Sequence, residues 1–165
     1  MRHIISILLQ NEAGALARVA ALFSSRGYNI ESLSVAPTEH TELSRLTLVT
    51  TGSDEIIQQI NKQLEKLVDV VNIADMTRDA HIERELLLLK AKVSVEGRKQ
   101  LSELVAASGA RLLDDNPETF TLELTGANDH MDEFIKRVAS CAEILAVVRS
   151  GAMAIARGPK VLTSR

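Results

Sequence analysis

Residues 4 to 73 alternate between two hydrophobic periods in a fixed order, and that order leaves few ways for the chain to fold. Ile4, Ile5, Ile7, Leu8 and Leu9 form a short β-branched-rich run bounded by polar residues, as a buried strand does. Leu16, Val19, Ala20 and Phe23 then recur at helical spacing, and Gly27 follows where a left-handed cap is wanted. Ile30 to Val35 and Leu43 to Thr51 read as two strands, the second alternating cleanly, with Pro37 to Glu42 as their hairpin connection. Ser53 can cap a second helix carrying Ile56, Ile57, Ile60, Leu64 and Leu67, after which Val70, Val71 and Ile73 make a last strand.

The resulting order, βαββαβ, is that of a ferredoxin-like α+β domain, an antiparallel sheet with both helices on one face. The plan then repeats. After the polar stretch Met76 to His81 come a strand from Glu85 to Val95, a loop at Glu96-Gly97, and a helix with Leu101, Leu104 and Val105 that ends at Ser108-Gly109. Arg111 to Asp114 and Thr119 to Thr125 flank a turn at Asn116-Pro117. Asn128 can cap a helix over residues 129 to 142, and Ile144 to Val148 closes the second copy. The reading is two tandem domains, residues 1–76 and 84–165, joined by a linker at 77–83. Each is close to the size at which one core is only marginally sufficient, and each leaves a sheet edge and a sheet face to be covered. Association through the N-terminal sheets, as a homodimer, is the natural remedy.

Composition removes several classes of function. Aromatic residues are only 2% of the 165 and the net charge is −3, so there is little to stack on bases and no basic excess to read phosphates: nucleic-acid binding is not expected. No apolar run approaches a membrane span, and the apolar start ends at Gln10-Asn11-Glu12 without a small-residue cleavage site, which points to a cytoplasmic protein. The single cysteine, Cys141, lies in a helical apolar pattern and receives no role, and His3, His40, His81 and His130 are scattered singly. No catalytic constellation and no metal-ligand cluster emerge.

One segment does suggest binding. Gln10 to Leu16 carries the chain from the first strand into the first helix, where the leading N–H groups lack intrahelical partners and the macrodipole favours an anion. Gly14 removes the side chain that would block that spot. The same residues also fit a purely local reading, with Asn11 as a cap, Gly14 in a turn and Asn29 in the loop after Gly27. The absence of GxGxxG and GxxxxGK[ST] patterns argues against nucleotides.

Asn11-Glu12-Ala13-Gly14-Ala15-Leu16, Arg18, Phe23, Arg26 to Leu33, Val35 to Thr38 and Leu43-Ser44-Arg45 together resemble the ACT domain of acetolactate (acetohydroxyacid) synthase small subunits. Weaker similarity runs through Gln63 to Val70, His81 to Glu85 and Arg149-Ser150-Gly151. The resemblance implies a regulatory subunit, not catalytic by itself, that activates a separate catalytic large subunit and makes it sensitive to feedback inhibition by L-valine in branched-chain amino-acid synthesis. It implies no cofactor on this chain, with thiamine diphosphate, Mg and FAD expected on the catalytic partner. The family's valine site maps onto Asn11, Gly14 and Asn29, with Ala13, Ala15, Leu16 and Ile30 as backbone or wall, and homodimerisation through the ACT domains would bring one copy's loop to the other's Asn29.

The second domain departs from that pattern. Its corresponding loop, Val93 to Arg98, keeps a glycine but lacks an asparagine, so no equivalent site is expected there; its helical surfaces and the Arg149 to Arg157 segment are candidates for contact with the catalytic partner. Two alternatives stand beside the regulatory reading: a free-standing amino-acid sensor acting on another enzyme or regulator, and an enzyme using a carboxylate substrate at the Asn11 loop. For the latter the only nearby base is Glu12, whose simpler role is a solvated acid near the first turn.

Overall fold

The computed structural model describes residues 1–164. In chain order it contains β1 (Arg2–Gln10), α1 (Ala15–Ser25), β2 (Ile30–Pro37), β3 (Leu43–Thr51), α2 (Asp54–Leu64), β4 (Val70–Asp75), β5 (His81–Lys92), α3 (Val95–Ser108), β6 (Arg111–Asp115), β7 (Thr119–Gly126), α4 (Asn128–Ala139), β8 (Glu143–Arg149) and β9 (Met153–Ala156). The expected ferredoxin-like order is present twice. The chain divides into two units, the first made of residues 1–82 and residues from 152 onward, the second of residues 83–151.

In the first unit the sheet runs β2-β3-β1-β4 with antiparallel neighbours. Register puts Ile5 opposite Leu48 and Ile7 opposite Leu46 on one face, and these pack with Val19 and Phe23 of α1 and Ile57, Ile60 and Leu64 of α2. This is the period-2 strand pattern meeting the period-3.6 helix pattern in an aliphatic core. The two ends of α1 differ. Its C-terminal end closes on Gly27 at φ +71°, with the Tyr28 N–H donating back to the Phe23 carbonyl at 2.9 Å. At its start, the residue preceding the helix is Gly14, which offers no side-chain cap. Ser53 caps α2 as expected, accepting from the Ile56 N–H.

The opposite sheet face of this unit, carrying Ile4, Ser6 and Leu8 beside Val49, Thr47 and Arg45, is covered by the end of the chain. Ala152 and Ala154 are buried against Ile4, Val49 and Met76. Beyond them the Arg157 N–H donates to the Ala80 carbonyl at 2.9 Å, the Arg45 guanidinium to the Leu162 carbonyl at 2.9 Å, and the Asn72 amide to the Thr163 carbonyl at 2.7 Å. The chain therefore divides differently from the expected 84–165 domain: residues from 152 onward join the first unit. The reason is the uncovered face itself, whose small side chains at Ser6, Thr47 and Ala74 admit a close-packed alanine strand.

The second unit has sheet order β6-β7-β5-β8, again antiparallel, and its core joins Leu87, Leu89, Phe120, Leu122 and Leu124 with Leu101, Leu104, Met131, Phe134 and Val138 from α3 and α4. Two local expectations are corrected. Val95, Glu96 and Gly97 form the first turn of α3 and not a strand end and loop, because Ser94 Oγ accepts the Gly97 N–H at 2.9 Å and starts the helix there. Asn128 is not the cap of α4: it lies inside the helix, Ala127 precedes it, and its amide serves Asp132 and Arg149. The Ser94 cap yields a direct test. Ser94→Ala is expected to destabilise the second unit by about 1 kcal/mol, read as a lowered urea midpoint with unchanged slope.

Candidate functional site

Strand order brings the end of β1, the start of α1 and the β2–β3 hairpin to one end of the first sheet, since Gln10 lies opposite Leu43 and Pro37 opposite Ser44. The Asn11 loop is pinned there twice. The Asn11 N–H donates to the Glu42 carbonyl and its side-chain Nδ2 to the Thr41 carbonyl, both at 2.8 Å. With Nδ2 engaged in this way, the side-chain Oδ1 is left as an acceptor without a hydrogen-bond partner among the described residues.

Gly14 has φ +89°, a left-handed conformation that L side chains rarely adopt. It precedes α1 without side-chain capping, and the Ala15 N–H donates weakly, at 3.2 Å, to the Glu12 carbonyl. The first regular helical bond runs from the Arg18 N–H to the Gly14 carbonyl at 2.9 Å. Leu16 and Ala17 thus present N–H groups with no backbone acceptor among the described residues, aimed along the helix axis toward the loop. Beside them lies a cavity of about 220 Å³ lined by Leu9 to Glu12, Ala15, Leu16, Val35 to Pro37 and Ser44. The arrangement offers N–H donors and a positive dipole end for a carboxylate, an amide oxygen for an ammonium, and short aliphatic walls for a small side chain.

Of the expected residues, the structure gathers Asn11, Ala15 and Leu16 around this cavity, with Ala13 and Gly14 in the same loop. Ala15 is buried and Leu16, at 38% exposure, stands at the opening. Asn29 and Ile30 are elsewhere in the single chain. They follow α1, whose eleven residues span ~16 Å. Asn29 is exposed and its carbonyl accepts from Thr50 Oγ1 at 2.6 Å, while Ile30 packs on the core.

The sequence reading missed an ion pair next to the loop. Arg18 grips Asp69 in a bidentate contact, Nε to Oδ2 at 2.5 Å and Nη2 to Oδ1 at 2.8 Å, and its guanidinium occupies the space above the Gly14 Cα. The hydrogen bonds that Arg18 donates hold the Asp69 carboxyl below the usual carboxylate range, and the same bonds to the Asp69 carboxylate hold the Arg18 guanidinium above its own. A depressed carboxyl contributes stability that is present above its unfolded pKa of about 3.9 and is lost as pH falls through the folded value. Asp69→Asn should therefore lower the melting temperature at pH 6–7, and the difference from the wild type should narrow as pH is brought below about 4. Asp69 immediately precedes β4, and it is the pairing of β4 with β1, which local spacing does not give, that brings it to Arg18 at the start of α1.

The corresponding place in the second unit is built differently. Gly97 is inside α3 and has no positive φ; a Cβ there would lie 3.1 Å from the Cys141 carbonyl oxygen, so this glycine permits close packing of helix on turn. Arg149, expected among partner contacts, is instead taken up internally by Glu85, Asp132 and Asn128. Among the described residues no cluster of three or more His, Cys, Asp or Glu could hold a metal ion, and no helix is long and apolar enough to cross a membrane.

Comparison with known proteins is consistent along the whole chain. Residues 5–72 match the family described as AHAS small subunit-like ACT domain, and residues 84–158 match the family described as small subunit of acetolactate synthase. The acetolactate synthase isozyme 3 small subunit of Salmonella typhimurium is 44% identical over 162 residues, covering 98% of this chain and 99% of the relative. The acetolactate synthase small subunit of Haemophilus influenzae is 42% identical, covering 97% and 98%. Among solved structures, the acetolactate synthase small subunit from Thermotoga maritima superposes with a TM-score of 0.87 at 32% identity, covering 97% of this chain and 99% of that one.

Proposed function

Given that the chain belongs to the acetolactate synthase small-subunit family, we propose that it is the regulatory subunit of that enzyme, activating a separate catalytic large subunit and carrying the feedback response to L-valine. The reaction itself, with thiamine diphosphate, Mg and FAD, belongs to the cytoplasmic catalytic partner. This chain contributes no catalytic residue to it.

The observation that carries the valine site is the left-handed Gly14 at the start of α1, which leaves the Leu16 and Ala17 N–H groups facing the loop beside the cavity at Asn11. Valine's carboxylate takes those donors, and its ammonium takes Asn11 Oδ1. Its isopropyl group rests on Leu16, Val35 and Pro37. In this reading β2, an edge strand with exposed Val35, Ala36 and Pro37, is where two copies meet, so that the partner's Asn29 closes the site. Binding across that junction favours one arrangement of the dimer, and a coupling of about 1–3 kcal/mol suffices for useful inhibition.

Calorimetric titration with L-valine, leucine, isoleucine and D-valine tests the ligand. Saturable L-valine binding is expected, with leucine or isoleucine weaker by about 1–3 kcal/mol; equal affinity for D-valine would exclude the two-point carboxylate and ammonium recognition. Asn29→Ala should weaken the binding of valine without disturbing the fold, since among the described residues the Asn29 side chain makes no hydrogen bond and its backbone carbonyl accepts from Thr50. Wild-type affinity in that variant would remove Asn29 from the site.

A further inference from the structure

A second cavity in the first unit, of about 590 Å³, lies between the helix-free sheet face and the chain end, within the size range of small-molecule sites. Its lining includes Ser6, Arg45, Ile73, Met76, Val161 and Leu162. Two groups in it are chemically unfinished. Ser6 is 2% exposed, and its Oγ has no hydrogen-bond partner among the described residues. A buried hydroxyl without a partner is costly, and an arriving acceptor or donor would relieve it. Arg45 is half-buried and donates one N–H to the Leu162 carbonyl, yet no carboxylate among the described residues pairs with it.

These two groups share a face. Ser6 lies opposite Thr47 and Leu8 opposite Arg45 in the β1–β3 register, which makes Ser6 and Arg45 diagonal neighbours, about 7–8 Å apart at their Cα atoms. A long guanidinium and a hydroxyl at that spacing can both reach one small anion. The remaining surface is aliphatic, from Ile73 and Met76 on one side and Val161 and Leu162 on the other. Acidic side chains are also present. Asp79 is paired with Lys160, Asp75 accepts the Thr77 N–H at 3.0 Å, and Glu39 is exposed.

We propose that this cavity is a ligand site for a small aliphatic carboxylate, separate from the Asn11 loop, with the carboxylate on Arg45 and Ser6 and the hydrocarbon against Ile73, Met76, Val161 and Leu162. The chain end forms one wall, so occupancy stabilises residues from 152 onward on the sheet. The shared chemistry covers both a plain or 2-oxo acid and an amino acid; Glu39 and Asp75 would serve the ammonium of the latter.

Amide NMR shifts of the full chain test this, with isovalerate, 2-oxoisovalerate and L-valine as three separate probes. Saturable shifts at Ser6, Arg45 and Leu162 are expected from at least one probe, unchanged by Gly14→Asp. A response to L-valine alone assigns the ammonium to the acidic rim, and a response to the other two assigns a plain carboxylate. Arg45→Gln should weaken that binding about tenfold or more. Because that change also loosens Leu162, Ser6→Ala is the decisive variant. It removes the unpartnered hydroxyl and should keep or raise the melting temperature while weakening the ligand severalfold. Wild-type affinity in Ser6→Ala and Arg45→Gln, or shifts confined to residues 11 to 17 for every probe, would overturn the proposal.

Discussion

Gly14→Asp should leave the chain folded and still able to raise the activity of its catalytic partner, while abolishing inhibition by L-valine. Three local effects act together. A non-glycine residue at φ +89° costs about 1–2 kcal/mol, a strain that aspartate tolerates better than most. The new Cβ would lie 2.7 Å from Arg18 Nη1, but this is the far end of a flexible side chain, which can swing away from Asp69. The decisive effect is electrostatic: a carboxylate would stand at the helix N-terminus, taking the place proposed for the ligand's own carboxylate. Gly14→Ala separates these contributions, having the strain and the contact without the charge, and should weaken valine only partly. Inhibition curves for the two variants against wild type give the comparison. Normal valine sensitivity in Gly14→Asp would place the site elsewhere.

Arg149→Met should unfold, or nearly unfold, the second unit. Arg149 donates through Nε and Nη2 to both oxygens of Glu85, through Nη1 to Asp132, and through Nη2 also to Asn128, all at 2.8–3.0 Å. Glu85 is only 4% exposed at its side chain, so removing the guanidinium leaves a buried carboxylate without its counter-charge. Breaking such a pair from one side costs about 3–5 kcal/mol, a large part of the ~5–15 kcal/mol that holds a domain of this kind together. The bonds it donates to the Glu85 carboxylate raise the Arg149 guanidinium above its ordinary value, so it stays charged at any pH at which the unit is folded. Replacing both partners with apolar residues, Glu85→Leu with Arg149→Met, should recover most of the loss. Hydrogen exchange of β5, β7 and β8 reads the unit directly. Near wild-type protection in Arg149→Met alone would show that water reaches Glu85 and that the pair is not structurally required.

Both ferredoxin-like units were legible because their strands and helices have different periods and their ends carry explicit signals, such as Ser53 before α2 and Gly27 after α1. What escaped detection follows from the same rules. In β9 the small Ala154 is buried, as is Ala152 just before the strand, while the larger Met153 and Ile155 are exposed, so hydrophobicity alone indicates the wrong face. Val95, almost wholly exposed, extended the apparent strand beyond Lys92 into what is a capped helix start. At the candidate site, the loop residues 11 to 16 were identifiable from the strand-to-helix transition. The wall from Val35 to Pro37 and the Arg18–Asp69 pair required strand order, which a local pattern does not contain. Asn29 was grouped with this loop by the residue pattern as well as by the family resemblance, yet within one chain it stands at the other end of α1.

Reconstitution tests the central reading most directly. The purified chain would be titrated into the acetolactate synthase large subunit from the same genome, and acetolactate formation followed with and without L-valine. The account predicts that activity rises to saturation with the added chain, that L-valine reverses this rise, and that Gly14→Asp retains the rise and loses the reversal. A rate unaffected by the chain, with L-valine still binding to it in the calorimeter, would contradict the account and indicate a sensor that serves a different partner.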